Sequence, residues 1–206
     1  MVKDESSGRY HHGNLRQALI DAGMQALLGQ TSLEVISLRE LARQVGVSAN
    51  AAYRHFASKE ALLQAIAAAG FHDMAERSLA AQSSQPDAKR RLRAAGLNYV
   101  QYARSNPALF RLMFGRKPPN ETSAELKEAA EQNFMGVRFA VSQASGLSMD
   151  DPHCMTLTLK AWVTVHGMAH LAFDGQFDHF SDDVDATINT LLDQFKPTLE
   201  TPASSS

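Results

Sequence analysis

Six side chains between positions 48 and 59 are suited to contact a nucleic acid. They are Ser48, Ala49, Asn50, Tyr53, His55 and Lys59. The first three lie at the start of a predicted helix, where an Asn amide can bind adenine through two hydrogen bonds and an Ala methyl can touch thymine. The last three carry donors suited to phosphate oxygens, which position a protein on DNA without reading its sequence. The helix that begins at Ser58 adds a dipole that favours anions.

A second short helix must position these side chains. Ser37 and Glu40 have the spacing of a capping box, which predicts a helix that ends near Gly46. Gly46 provides the positive φ of a tight turn, and the small Ala42 lets the following helix cross closely. This is the pattern of a helix-turn-helix, whose second helix enters the major groove with its N-terminal residues at the base edges.

An alternative remains for each of these residues taken singly. Tyr53 and Phe56 can be core aromatics of a small domain, and Arg54 can be a solvated charge. The spacing of the whole set is more specific than any one member.

Trp162, His166 and His170 are spaced four residues apart on a predicted helix and therefore share a face. They can be hydrogen-bonded core or interface groups, effector contacts, or a two-histidine metal site. The chain lacks a Gly-rich nucleotide motif, a nucleophile elbow and a zinc-protease motif, and its single cysteine, Cys154, lies in an apolar stretch. We therefore expect no catalytic residue, no metal and no cofactor.

Aromatic and methionine side chains recur at helical spacing in the C-terminal two thirds of the chain. Such sets usually form plain core, but they also line apolar ligand pockets. The residues predicted to line an effector pocket are Tyr99, Tyr102, Phe110, Met113, Phe114, Phe139, Trp162 and His166. A ligand wedged here would tilt the helix that contains Ile66, and with it the DNA-reading helices.

The helix predicted from about Pro152 to Asp174 is apolar on nearly every side, so it must be buried on nearly every side. The last helix carries a clean amphipathic stripe. These two helices can pair with their symmetry mates as a four-helix bundle, although one internal helix in a monomer is the alternative. The residues predicted at the dimer interface are Val163, His170, Phe173, Ile188, Leu191 and Phe195.

Helix signals recur and strand signals do not, so we predict an all-α protein of about nine helices. Predicted helix starts are Asn14, Ser48, Ser58, Thr122 and Ser181, with first-turn prolines at Pro86, Pro107 and Pro152. We expect a DNA-binding domain at 1–57 with a flexible arm at 1–9, a helical effector-binding and dimerisation domain at 58–197, and a disordered tail at 198–206.

The 206 residues carry a net charge of −2, unevenly distributed. Residues 1–65 carry +1, 66–149 carry +4 and 150–206 carry −7. The net charge of the whole chain argues against a generic nucleic-acid coat. The near-neutral N-terminal part favours DNA binding through a few well-placed donors. No signal peptide or membrane span is apparent, which predicts a cytoplasmic protein.

Two further segments have ambiguous roles. The basic run Lys89-Arg90-Arg91-Arg93 is interpreted as a solvated helix face. The leader Arg9-Tyr10-His11-His12-Gly13-Asn14 can be an arm that reaches DNA or a flexible segment with a capping turn.

From about Tyr10 to Ile66 the chain resembles the tetracycline-repressor (TetR) family of bacterial transcription regulators. The resemblance rests on SLRELARQVGVS at 37–48, Tyr53-Arg54-His55-Phe56 and Ser58-Lys59-Glu60-Ala61-Leu62. It implies a homodimeric repressor on a palindromic operator, a C-terminal domain that senses a small molecule, and contacts of Ser37 and Arg39 with DNA. The Trp-x-x-x-His-Gly stretch at Trp162 resembles one subgroup of that family. The alternatives are a constitutive regulator or activator without an effector and, less favoured, an enzyme.

The recognition helix departs from that family's pattern. It reads Ser48-Ala49-Asn50-Ala51-Ala52, where members often have Lys or Thr and Gly. An alanine-rich helix offers few base-reading groups, so Asn50 becomes unusually important.

Overall fold

The computed structural model describes residues 14–115 and 121–198. These residues form nine α-helices and two short 3₁₀ turns, with no strand among them. The helices are α1 (Leu15–Leu27), α2 (Leu38–Val45), α3 (Ala49–Tyr53), α4 (Lys59–Ser83), α5 (Ala88–Ser105), α6 (Pro107–Phe114), α7 (Ala124–Ser145), α8 (Pro152–Phe173) and α9 (Val184–Gln194). The predicted all-α class is confirmed. The leader before Asn14, the segment 116–120 and the tail after 198 lie outside the described residues.

Local capping sets most of the helix starts. The side chains of Asn14, Ser48 and Ser58 each accept a hydrogen bond from a backbone N–H in the first turn, as their sequence context predicts. Pro107 and Pro152 occupy the first position of α6 and α8, where a missing N–H costs nothing.

Four local predictions are corrected. Ser37 precedes α2 but makes no side-chain cap bond, and Glu40 pairs with Arg43, so neither bond of the predicted capping box forms. The cap of α7 is Ser123 rather than Thr122, and the cap of α9 is Asp183 rather than Ser181. Pro86 stands before the cap Asp87 and so lies outside α5.

Helix α4 connects the two ends of the molecule. Its 25 residues span roughly 37 Å at 1.5 Å per residue. It packs on α1 at one end and on α5, α6 and α7 along the rest of its length. One cluster of buried side chains extends from Leu19 in α1 through Ile66 in α4 to Ala169 in α8. The N-terminal helices therefore share a core with the C-terminal ones.

None of the helices in the described ranges is long and apolar enough to cross a membrane.

Candidate DNA-binding surface and ligand cavity

The turn between α2 and α3 has the geometry that the sequence predicts. Gly46 has φ +81°, and the amide of Val47 donates to the carbonyl of Ala42 at 2.9 Å. Ala42 and Ala52 are buried, which lets the two helices cross closely. The crossing holds α3 out from the protein with its N-terminal turn exposed.

The predicted base-reading residues lie at the exposed start of α3. The side chain of Asn50 is exposed and makes no hydrogen bond within the described residues, so both its donor and its acceptor are free. Ala49 is half-buried. Ser48 is exposed, but its Oγ already accepts from the amide of Ala51 at 3.2 Å, which leaves its hydroxyl proton as the group available to a partner.

The predicted phosphate contacts flank this turn. Tyr53, His55 and Lys59 are all exposed, as are Ser37 and Arg39 at the start of α2. Lys59 makes one weak contact, from Nζ to the carbonyl of Leu33 at 3.5 Å, and is otherwise free to bind an anion.

The core alternative is correct for Phe56 and does not describe Tyr53. Phe56 is 3% exposed and lies beneath the guanidinium of Arg16, whereas Tyr53 is 44% exposed. Phe56 therefore packs in the small core of the N-terminal helices, whereas Tyr53 faces outward.

A cavity of about 510 Å³ lies beside α5 from Lys89 to Tyr99, where α4, α7, α8 and the end of α9 approach it. Its volume is typical of a small-molecule site. Its apolar lining includes Met74, Leu79, Leu92, Val137, Phe139, Val165, Leu192 and Phe195, and its polar lining includes Ser78, Lys89, Arg90, Arg93, Asn98, Tyr99, Asn133 and Asp193.

Two of the eight residues predicted for the effector pocket, Tyr99 and Phe139, line this cavity. Phe139 is 55% exposed near its mouth, and Tyr99 is 6% exposed at its inner end. The other six do not line it: Tyr102, Phe110, Met113, Phe114, Trp162 and His166. Tyr102, Phe110 and Met113 are buried in the core, and Phe114 and Trp162 pack against it. Tyr102 is fixed by a hydrogen bond from its hydroxyl to the carbonyl of Gly70 at 3.1 Å. This packing accounts for the aromatic periodicity in α5 and α6.

A hydrogen-bonded triad closes the inner end of the cavity. The indole of Trp162 donates to the hydroxyl of Tyr99 at 3.3 Å, and that hydroxyl lies 2.8 Å from Nδ1 of His166. The indole N–H can only donate, so the Tyr99 hydroxyl accepts from Trp162 while it shares a second hydrogen bond with Nδ1 of His166. Burial lowers the pKa of His166, and nearby His170 lowers it further. Burial raises the pKa of Tyr99.

Aromatic rings connect this triad to α6. The ring of His166 lies 5.0 Å from that of Phe114 and 5.5 Å from that of Phe110 in α6. From the same helix, Arg111 donates to the carbonyl of Thr31 at 3.3 Å and pairs with Asp174. Helix α6 thus touches both the loop after α1 and the end of α8.

The residues predicted for the dimer interface separate by burial. Val163 is 68% exposed and Leu191 is 36% exposed, so both face outward. His170 and Phe173 are half-buried, and their tilted rings contact each other with centroids 4.8 Å apart. Phe195 is half-buried at the cavity.

Ile188 must be removed from the predicted contact set. It is 1% exposed and packs within the protomer in a cluster with Val100 and Met168, so a partner cannot reach it.

Two features of the structure were not predicted from the sequence. Lys89, Arg90 and Arg93 line the cavity rather than forming only a solvated face. Gln64, 7% exposed, bridges α4 to the segment before α7, donating to the carbonyl of Glu121 at 2.9 Å and accepting from the amide of Ser123 at 2.6 Å. No local sequence signal identifies either feature, because the partners are distant in sequence.

The described residues hold no cluster of three or more metal-ligating side chains.

Comparison with family models matches both halves of the chain. Residues 19–66 match the model described as bacterial regulatory proteins, tetR family. Residues 92–195, about half the chain, match the tetracyclin repressor-like C-terminal domain. The first match covers the exposed helix-turn-helix, and the second covers most of the helices around the cavity.

Individual proteins also resemble the chain in sequence or in fold. An uncharacterized HTH-type transcriptional regulator of Haemophilus influenzae is 27% identical over 126 residues, which is 58% of this chain and 57% of that relative's length. A structure of a protein with unknown function from Rhodococcus sp. RHA1 is 31% identical, with a TM-score of 0.74 over 90% of this chain and 95% of that one. A TetR variant from Acinetobacter baumannii AYE in complex with minocycline shares the fold, at 22% identity and a TM-score of 0.57 over 86% and 92% of the two chains. With its exposed helix-turn-helix and the two matching domain models, the chain belongs to the TetR family of DNA-binding transcription regulators.

Proposed function

We propose that the protein is a homodimeric repressor that leaves a palindromic operator when a small molecule enters the cavity beside α5. The observation that carries this proposal is α4. Its first residue, Lys59, stands at the DNA-binding surface, and its second half contributes Met74, Ser78 and Leu79 to the cavity. A change in cavity shape therefore acts on the same rigid element that positions the reading helix.

The proposed contacts with DNA are of two kinds. Asn50 reads a base, and Tyr53, His55, Lys59 and Arg39 bind phosphates around it. Because α3 offers one amide and otherwise alanines, each half-site supplies little direct readout. Twofold symmetry compensates, since two weak half-sites held together bind far more tightly than either alone.

The dimer surface is the outer face of α8 with α9. Leu159, Val163 and Leu171 are 44%, 68% and 47% exposed and follow one face of α8. Gly167 lies on that face, and a Cβ built there meets nothing within 4 Å in the protomer. A helix-interior glycine costs about 1 kcal/mol relative to alanine, so its presence favours close approach by a partner helix.

The release step follows from the connections of α4 and α6. A ligand that spreads α4 from α5 and α7 moves the second half of α4. The shared core from Leu19 to Ile66 transmits that movement to α1 and the reading helices. In a dimer this changes the distance between the two reading helices, which operator spacing does not tolerate.

The test begins with selection of an operator from random duplexes by the purified full chain. Dimer formation is measured by light scattering, and operator affinity by fluorescence anisotropy. Compounds that raise the melting temperature are then added to the preformed complex. We expect a dimer, a palindromic selected sequence and release by at least one stabilising compound.

Each part of the proposal has its own contrary result. A monomer at micromolar concentration contradicts the dimer, and a non-palindromic site contradicts the paired readout. Stabilising compounds that never alter operator affinity would leave a constitutive regulator as the better description. A compound that strengthens operator binding contradicts release and indicates a regulator that uses its ligand as a co-repressor.

A further inference from the structure

We infer that the cavity ligand is an anionic amphipath, with its apolar body along α5 and its negative head at Lys89 and Arg90. This inference rests on the proposed function and adds the chemical class of the effector. The basic run at the start of α5, interpreted from sequence as a solvated face, becomes the element that recognises the head.

Shape supports an elongated ligand. The α5 residues that line the cavity run from Lys89 to Tyr99, a distance of roughly 15 Å along the helix. Apolar side chains cover much of this length from α4, α7 and α9, including Leu79, Phe139 and Phe195. The polar triad with Tyr99 stands at the opposite end from the charges.

The charges of the lining favour an anion. Three cationic residues, Lys89, Arg90 and Arg93, face one acidic residue, Asp193. Asp193 is held by Arg93, which also donates to Asn189 at 2.8 Å, and the Arg93 guanidinium lowers the pKa of Asp193. That pair is satisfied within the protomer.

Two cations remain available to the ligand. Lys89 makes no hydrogen bond or ion pair within the described residues, and Arg90 has only a loose pair with Asp87 at 3.6 Å. Both side chains are exposed at the rim, so a charged head there stays partly hydrated and avoids the cost of full desolvation. A cationic head would instead meet a net positive rim.

One polar group inside the cavity also lacks a partner. Asn133 in α7 is half-buried, lines the cavity and makes no hydrogen bond within the described residues. An amide in this position suits an ester, thioester or carboxylate oxygen of the ligand, since it can donate and accept.

The test compares three probes that share one apolar chain: dodecanoate, dodecanol and dodecyltrimethylammonium. Binding to the full chain without DNA is measured by calorimetry and thermal shift at low and high salt. We expect dodecanoate to bind roughly fivefold or more tighter than dodecanol, because two exposed charge contacts each add a modest amount. The excess should shrink as salt screens the rim.

The variant Lys89→Ala/Arg90→Ala should bring dodecanoate to the affinity of dodecanol. Arg91→Ala is the matched control, because Arg91 follows in sequence but does not line the cavity. Equal binding of dodecanoate and dodecanol, tighter binding of the cation, binding of none of the three, or an equal loss in Arg91→Ala overturns the inference.

The results that contradict the proposed function differ from those that contradict this inference. If dodecanoate binds through Lys89 and Arg90 but bound ligand never changes operator affinity, the site stands and ligand-controlled release fails. If a neutral compound releases the operator while dodecanoate does not bind, release stands and the anionic class fails.

Discussion

The two ends of this protein use their interiors in opposite ways. The N-terminal region of α1–α3 is filled, with Leu41, Ala52 and Phe56 almost fully buried and its polar groups turned outward. The C-terminal region of α5–α9 leaves about 510 Å³ open beside α5. A filled core resists deformation and can present side chains in fixed positions, whereas a hollow one has more than one way to pack. The difference suits the proposed function, in which the N-terminal region binds DNA and the cavity binds a ligand.

The helices at the boundary of the two regions are joined by two kinds of contact. Apolar packing joins α4 to α1, where a Cβ on Gly23 would stand 2.3 Å from Cδ1 of Ile66. Polar contacts join the same region to α7, through Gln64 and through the pair of Arg16 with Glu125. The close apolar contact favours movement of α1 and α4 as one body.

The largest expected effect comes from separating the two copies of the proposed dimer. Val163→Asp with Leu171→Asp should abolish the dimer, because it places unpaired carboxylates in an apolar contact. Operator affinity should fall roughly 10²–10⁴-fold as the second half-site is lost. Light scattering and anisotropy provide the readouts. Met135→Asp, at a 45% exposed site on α7, is the control, and an equal loss there would contradict the α8 surface.

Asn50→Ala tests whether the N-terminal region of α1–α3 recognises DNA bases. We expect a loss of roughly 1–3 kcal/mol per half-site on the selected operator. Binding to random duplex should hardly change, since the amide is not needed for phosphates. Measuring both affinities in one salt condition checks this, and an unchanged ratio between operator and random DNA would remove Asn50 from base reading.

Lys59→Ala tests the phosphate contact at the start of α4. Affinity should fall alike for all duplexes, and the slope of log affinity against log salt should decrease by about one per protomer. Lys127→Ala, an exposed lysine on α7, is the charge-matched control. A change of slope in both variants would point to a general charge effect instead.

Gly136→Leu tests whether the cavity beside α5 is the site of the proposed ligand. A Cβ at this helix-interior position meets nothing within 4 Å, and the residue lines the cavity, so leucine should occupy space that the proposed ligand would fill. We expect a gain in stability of up to about 1 kcal/mol from helix propensity, unchanged operator affinity and loss of ligand response. Gly136→Ala should keep the gain and much of the response. Full response in the leucine variant would separate the cavity from sensing.

The smallest effect concerns pH. Since burial lowers the pKa of His166, its proton binds more readily in the unfolded chain than in the folded one. Stability should therefore fall as pH drops from about 6.5, the ordinary histidine pKa, toward the lowered folded value. His166→Gln should lessen that fall relative to wild type in thermal melts between pH 7.5 and 5.5. A parallel pH dependence in both proteins would mean that His166 does not contribute.

Much of the filled end is predictable from local sequence. Its helix starts at Ser48 and Ser58 and its turn at Gly46 depend on residues within four positions of each other. The hollow end is not predictable in this way. Aromatic spacing suggested that Phe110, Phe114 and Trp162 line the pocket, but in the structure they pack into the core beside it. Periodicity reports that a residue faces inward and does not report whether the space it faces is filled.

The sequence by itself determined the all-helical class, the helix-turn-helix with its exposed Asn50 and the outward-facing Val163, because each depends on spacing along one or two helices. Only the tertiary structure decided where the cavity lies, that Ile188 is internal and that Lys89 and Arg90 stand at the cavity rim. Those facts depend on how five helices, separated by up to a hundred residues, leave space between them. A cavity is a property of packing shared among elements, so no single stretch of sequence encodes it.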